Sequence, residues 1–253
     1  MASSIKGPGM LWVTSRIASS SKDILDEETF MKWYDEDHIT EIIATSGIND
    51  AFRYIDAEKD SPNVLKPFLA FYPMPDLAFT LGQEFKNIKV KSDILPGTRI
   101  IYDMADLDVL YYGLIRKTEA RRNKGIKRQT APYILVSAIK PANGTPDSQV
   151  TRFYDQQSAI VSEMPNYIRT LCFKLLYART NAQSRALKGL PTTDEPAPEP
   201  PTWQAVYEFS AEPSSETKAT LKDDRSEVLK KAKQNELHVY RLAKVHGGGK
   251  FFE

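Results

Sequence analysis

The sequence predicts an α+β fold in which a β-α-β-β-α-β unit occurs twice and the two resulting sheets close on each other. Three observations carry that prediction. Trp33-Tyr34-Asp35-Glu36 returns 120 residues later as Phe153-Tyr154-Asp155-Gln156. A short, β-branched apolar run precedes each copy, at residues 10–17 and 133–139. After each copy the same sequence of strand-like and helix-like periodicities follows.

The elements can be justified in order. Residues 10–17 read as a strand. Residues 26–43 read as a helix, with Asp26 as N-cap and Glu27 and Glu28 in the first turn, where carboxylates meet unpaired backbone N–H groups. Ser46-Gly47 ends it. Residues 48–57 alternate as a strand, and 68–72 form a third. Leu77, Leu81, Phe85 and Ile88 fall at helical spacing, which predicts a helix over 77–90. Residues 100–115 hold a final strand or two. In the second half, strand 133–140 leads to a helix over 147–164 with Val150, Phe153, Tyr154, Ile160, Val161 and Met164 as its apolar stripe. Residues 167–179 and 203–209 read as strands. A charged amphipathic helix is expected over 215–234, with Leu221, Val228, Leu229 and Ala232 inward, and residues 237–245 close the sheet.

Each half is thus a ferredoxin-like unit. Such a unit packs both helices on one sheet face and leaves the other bare. Two bare faces in one chain can bury each other as an intramolecular α/β barrel. The expected division is residues 1–118 for the first repeat, 119–131 for a linker and 132–253 for the second repeat. The connecting region carries Arg116, Lys117, Arg121, Arg122, Lys124, Lys127 and Arg128, and reads either as a solvated linker or as a basic patch for an anionic partner. Residues 180–202 hold Pro191, Pro196, Pro198, Pro200 and Pro201. They read as a mobile, partly extended insertion without fixed structure, or as a lid. The tail, Gly247-Gly248-Gly249 followed by Phe251-Phe252-Glu253, reads as frayed or weakly docked.

Composition excludes several functions. Lys+Arg number 34 against 33 Asp+Glu, so no overall basic excess points to nucleic acid. The single cysteine, Cys172, excludes an internal disulfide framework and a cysteine-rich metal centre. No stretch has the length and apolarity of a membrane span, and no apolar leader segment opens the chain. The expectation is a soluble, cytoplasmic protein. No dinucleotide, P-loop or nucleophile-elbow motif occurs, and no His/Asp/Glu set has metal-ligand spacing.

The candidate site lies on the first helix. Phe30, Tyr34 and His38 fall on one face of a regular helix, with Trp33 beside them. An imidazole in a partly apolar space serves as general acid or base near neutral pH. Tyr34 would donate to a carbonyl or enolate, and Asp35 or Asp37 would orient the ring. The alternative for His38 is a capping or core-edge residue. Arg53, on the next strand, is either an ion-pair partner of Asp35 or Asp50, or a clamp for a substrate anion. Trp12, Phe52, Phe71, Tyr72, Tyr111 and Tyr112 read as packing residues, some of which would line a pocket for a flat ligand. His238 and His246, on the last strand and in the tail, have little in the sequence to single them out.

The run Phe30-x-x-Trp33-Tyr34-Asp35-Glu36-Asp37-His38-Ile39, followed by Gly47 and Phe52-Arg53-Tyr54, resembles the dimeric α/β-barrel superfamily. It looks most like the EthD-like branch, with its W-Y-x-x-x-H helix, glycine and R-Y strand. The second half departs from this pattern, because Ser158 stands where His38 does and no counterpart of Arg53 occurs near Leu171-Cys172-Phe173. The resemblance implies a cofactor-independent enzyme of the lyase or isomerase kind. Its expected substrate is a hydrophobic, oxygenated, polyketide-like small molecule of secondary-metabolite biosynthesis. Cyclisation, isomerisation and decarboxylation all suit it. His38, Tyr34, Arg53 and Asp35 would be catalytic, and Trp33, Phe52, Tyr54, Trp12, Phe71, Tyr72 and Tyr112 would bind substrate. Two alternatives stand: a non-catalytic small-molecule-binding or stress-related barrel, and a haem enzyme using His38 or His238. A monomer or a homodimer of tandem barrels is expected, with neither nucleic acid nor membrane as partner.

Overall fold

The computed structural model describes residues 5–119, 130–222 and 226–252. Eight strands form a closed antiparallel barrel: β1 (Gly9–Ile17), β2 (Asp50–Asp56), β3 (Phe68–Met74), β4 (Ala105–Glu119), β5 (Tyr133–Lys140), β6 (Tyr167–Arg179), β7 (Trp203–Phe209) and β8 (Gln234–Gly247). The order around the barrel is β1-β3-β2-β8-β5-β7-β6-β4. Strands of the first half lie as β4-β1-β3-β2 and those of the second as β8-β5-β7-β6, the same order twice. The halves join through β2–β8 and β4–β6, so neither sheet keeps a free edge and closure needs no second chain.

Alternation along the strands divides the side chains between two sides of the sheet. Met10, Trp12, Phe52, Tyr54, Leu69, Phe71, Leu110, Tyr112, Val136, Phe173, Val206 and Tyr240 fill the barrel interior. Leu11, Val13, Tyr72, Val109 and Tyr111 face outward and pack against the helices of the first half. One end of the interior is plugged by the chain terminus. Phe251 is buried with its ring 4.7 Å from that of Phe71. Arg169 and Glu208 form a buried bidentate pair there, with N–O distances of 2.6 and 2.8 Å, and Arg169 also donates to the carbonyls of Phe251 and Phe252. The tail is therefore docked, contrary to the sequence expectation, because two aromatic rings and two carbonyls find partners inside the barrel.

The first helix is continuous but irregular. It runs as α1 (Glu27–Lys32), a π-helical turn (Trp33–His38) and α2 (Ile39–Ile43), and Asp26 accepts from the Thr29 N–H as its cap. A Cβ at Gly47, just after it, would collide with the Phe79 ring, so glycine is required there. The helix expected over 77–90 is instead a 3-10 turn (Leu77–Leu81) and a short α3 (Gln83–Asn87). Gly82 breaks it in an extended conformation, since glycine has little to hold it helical. The last strand of the first half begins at Ala105, because the turn at Pro96-Gly97 and the positive φ of Arg99 occupy the preceding residues. In the second half α4 (Asp147–Ser162) follows expectation.

Three connecting regions differ from expectation. The insertion carries a helix, α5 (Asn181–Leu187), opened by a Thr180/Gln183 capping box. The helix expected over 215–234 divides into α6 (Ser215–Lys222) and α7 (Glu227–Lys230), and the Lys233 N–H already pairs with the Lys140 carbonyl to start β8. Arg116 and Lys117 belong to β4, where they bond Asp155 and the Phe252 carbonyl. The rest of the basic linker, residues 120–129, lies outside the described residues. Among the described residues no helix is long and apolar enough to cross a membrane.

Candidate active site

His38 stands at the end of the π turn. The Ile39 N–H reaches back five residues to the Tyr34 carbonyl, and this wider turn brings Trp33 and His38 into contact, stacked at 4.6 Å. The imidazole lines a cavity of about 60 Å3 between the first helix and the outer face of the sheet. Leu11, Val13 and Val109 come from the sheet, Ile42 from α2, Phe85 from α3, and Tyr72 and Tyr102 add phenols. Arg179, at the end of β6, and Lys188, just after α5, close the far side.

Two buried groups here lack partners. His38 Nδ1 has no hydrogen bond, and neither do Nε and Nη1 of Arg179. Arg179 is 5% exposed, with its guanidinium over the Phe85 and Tyr111 rings at 5.9 and 5.6 Å. Burial first and Lys188 second lower the His38 pKa to about 4, against the opposing effect of Asp37. The ring is therefore neutral at pH 7. Burial likewise lowers Lys188 to about 8, helped by Arg179. The Lys188 ammonium donates to the carbonyls of Phe85, Lys86 and Ile88, the last at 2.6 Å, and so pins the insertion across the cavity. Burial also raises the pKa values of Tyr72 and Tyr102, which keeps both phenols protonated.

Most of the other residues expected at this site lie outside the cavity, although the Trp33 and Tyr34 rings stay in contact with the imidazole. Tyr34 is buried with its hydroxyl 3.2 Å from Ser15 Oγ, and burial raises its pKa to about 12. It does not line the cavity. Asp35 takes Arg53 in a bidentate pair at 2.6 and 2.9 Å, so Arg53 is an ion-pair partner of Asp35. His246 and Lys244 also reach Asp35, at 3.1 and 3.2 Å. Burial opposes ionisation of Asp35, but Arg53 and Lys244 hold its carboxyl below the ordinary range. Asp35 thus orients His246 and not His38. Trp33 packs on Phe30 and His38 within the helix layer. Trp12, Phe52, Tyr54, Phe71 and Tyr112 lie on the opposite side of the sheet, inside the barrel, and only Tyr72 shares the cavity of His38. The predicted set is thus divided between the two sides of the sheet.

The interior aromatics surround a second, larger cavity of about 500 Å3 at the barrel end opposite the docked tail. Trp12, Tyr112 and Tyr240 wall it, and Pro198–Pro201 of the insertion and residues 63–66 form its rim. His238 lines it, with Nδ1 2.8 Å from Oδ2 of the buried Asp56. That bond raises the His238 pKa against the effect of burial. Residue alternation on β8 was a signal for this placement, since Glu236, His238 and Tyr240 share one strand face.

A haem group does not fit either cavity. The space beside His38 is far smaller than a porphyrin. Around His238 the lining lysine, Lys66, is already committed to Asp108, and Glu199 and Glu236 add negative charge, a lining unsuited to the propionates of a haem. Among the described residues no group of three or more His, Cys, Asp or Glu side chains is arranged to hold a metal ion.

No protein-family model and no curated protein matches the chain. Solved structures do match it. An anthrone oxidase-like protein superposes with a TM-score of 0.57 at 12% identity, over 96% of this chain and 94% of its own. A candidate monooxygenase of Fusobacterium nucleatum subsp. nucleatum gives 0.53 at 12% identity, over 97% of both chains. A chlorite dismutase variant from Candidatus Nitrospira defluvii gives 0.52 at 11% identity, over 94% of this chain and 92% of its own. The chain shares its overall fold, a closed eight-stranded barrel with helices outside it, with these structures. At these identities the likeness extends to the fold alone.

Proposed function

We propose that the chain is a cofactor-independent enzyme, an EthD-like protein built of two tandem ferredoxin-like repeats, that moves a proton on a hydrophobic, oxygenated, polyketide-like substrate. The reading rests on one observation: a neutral imidazole with an unpartnered Nδ1 and a buried guanidinium with unpartnered Nε and Nη1 line the same cavity. A buried, unpaired cation is costly and is relieved by an anion. A neutral imidazole accepts a proton. Together they suit a carbon acid beside a carbonyl.

In this mechanism His38 takes the proton from the acidic carbon. The C–H bond breaks, an N–H bond forms, and the electron pair moves onto the carbonyl oxygen as an enolate. Arg179 donates to that oxygen. The enolate in turn stabilises the imidazolium and raises the His38 pKa as the proton arrives. Return of the proton to another carbon gives isomerisation; attack of the enolate carbon on a second carbonyl forms the ring's C–C bond, and the proton on His38 passes to the alkoxide that results. Asp35 and Arg53 anchor the π turn to β2 and act on the site through the helix. Substrates with more than a small head group require α5 and Lys188 to move aside, because the cavity is small.

Incubation of aromatic ketones and polyketide-like acids in deuterium oxide, read by mass spectrometry, tests this. Deuterium should enter the carbon beside the carbonyl with the natural chain, and His38→Ala should abolish entry while Tm changes little. Full exchange by folded His38→Ala protein would remove the mechanism.

A further inference from the structure

We propose that the barrel mouth is a second small-molecule site, built for a flat hydroxylated aromatic ketone that places its hydroxyl on His238 and its carbonyl on Gln204. An eight-stranded barrel has an interior that side chains either fill or leave wide enough for one small ligand. Here the tail fills one end and the other keeps about 500 Å3, within the range of small-molecule pockets.

The walls and polar groups define the ligand. Trp12 is stacked on Phe71 at 5.6 Å and meets Tyr240 edge-on at 6.1 Å, which leaves aromatic surface for a flat ring system. Gln204 is 2% exposed and its Nε2 has no partner, although the residue lines the cavity. An amide nitrogen left in this way calls for an acceptor oxygen. His238 is committed to Asp56 only through Nδ1. With the ring neutral, its Nε2 accepts from a phenolic O–H; with the ring cationic, it donates to a phenolate. Glu236, at the same mouth, disfavours a carboxylate ligand and favours an uncharged ketone.

Register sets the spacing. Ala138 of β5 pairs with Gln204 of β7 on one side and with Glu236 of β8 on the other, and Val136 pairs with His238. His238 and Gln204 therefore stand two strand spacings apart across the sheet and two residues apart along it, roughly 11–12 Å between backbones. Ala138 and Val136 form a low floor between them. A fused-ring compound laid over that floor reaches both groups.

The site is independent of His38, on the opposite side of the sheet, so it stands or falls separately from the enzymatic reading. Alizarin, a flat hydroxyanthraquinone whose absorbance reports phenol ionisation, is a suitable probe. The natural chain should bind it. His238→Asn keeps a donor toward Asp56 but removes Nε2, and Gln204→Leu removes the amide. Each should weaken binding at least ten-fold. Ala138→Leu should block it by raising the floor. His38→Ala should leave this binding unchanged, whatever it does to turnover. Failure of the natural chain to bind alizarin, or unchanged affinity in all three folded barrel variants, would overturn the proposal.

Discussion

His38 and Arg179 show how burial sets the chemistry of single residues. The imidazole is neutral because charging it in an apolar cavity beside Lys188 is unfavourable. Its folded pKa, about 4, lies below the ordinary value of 6.5. Between those values the unfolded chain binds a proton that the folded chain does not, so His38 makes stability fall as pH drops from about 6.5 to 4. His38→Asn should flatten the pH dependence of denaturant midpoints in that window, and equal slopes for both proteins would contradict the assignment. His238 acts in the opposite sense: its raised folded pKa adds stability below 6.5 that is lost as pH rises through the folded value. Arg169 makes a different case. It is buried against Glu208, so Arg169→Met alone should cost about 3–5 kcal/mol in equilibrium unfolding by leaving a buried carboxylate unpaired. The double change Arg169→Met, Glu208→Leu should restore most of that loss. His38 was legible in the sequence because a motif surrounds it. Arg179 was not, since only the pairing of β6 with β4 brings it from the second half to the first.

Elements were legible where periodicity and end signals agreed. Asp26 caps α1 as its sequence position implies, and the apolar stripe of α4 is buried at Val150, Phe153, Tyr154 and Val161, whereas Ile160 is exposed. The π turn was not legible, because i, i+4 spacing assumes a regular helix and Trp33 meets His38 at i+5. This turn stacks Trp33 on His38 and leaves Tyr34 edge-on to the imidazole at 6.1 Å. The apolar spacing of Leu77, Leu81, Phe85 and Ile88 spans Gly82, a poor helix former, and the structure breaks at that glycine. In the insertion, proline content obscured the Thr180/Gln183 box that starts α5. Thr180→Ala should cost about 1 kcal/mol locally. Amide exchange in residues 181–187 should quicken while global Tm moves little, and unchanged exchange would show that the box does not hold α5.

The whole molecule was the most legible scale. The repeated order of elements predicted two sheets closing on each other, and the barrel has the same strand order in each half. What pattern alone did not show was how each face would be used. The sheet separates His38 and Tyr72 from Trp12, Phe52, Tyr54, Phe71 and Tyr112, and the insertion reaches both sides, through Lys188 and through Pro198–Pro201. The docked tail is part of the barrel core, so Phe251→Ala should lower unfolding free energy by about 3 kcal/mol. A loss within a few tenths would mean that the tail contributes little. The central claim is that His38 and Arg179 together form an anion-accepting, proton-moving pocket. NMR titration of the His38 ring, with and without a phenolate ligand, tests it most directly. The account predicts a neutral ring down to about pH 4 in the free protein, and a rise in its pKa on ligand addition that Arg179→Met abolishes. A ring that titrates near 6.5 and ignores the ligand would contradict it.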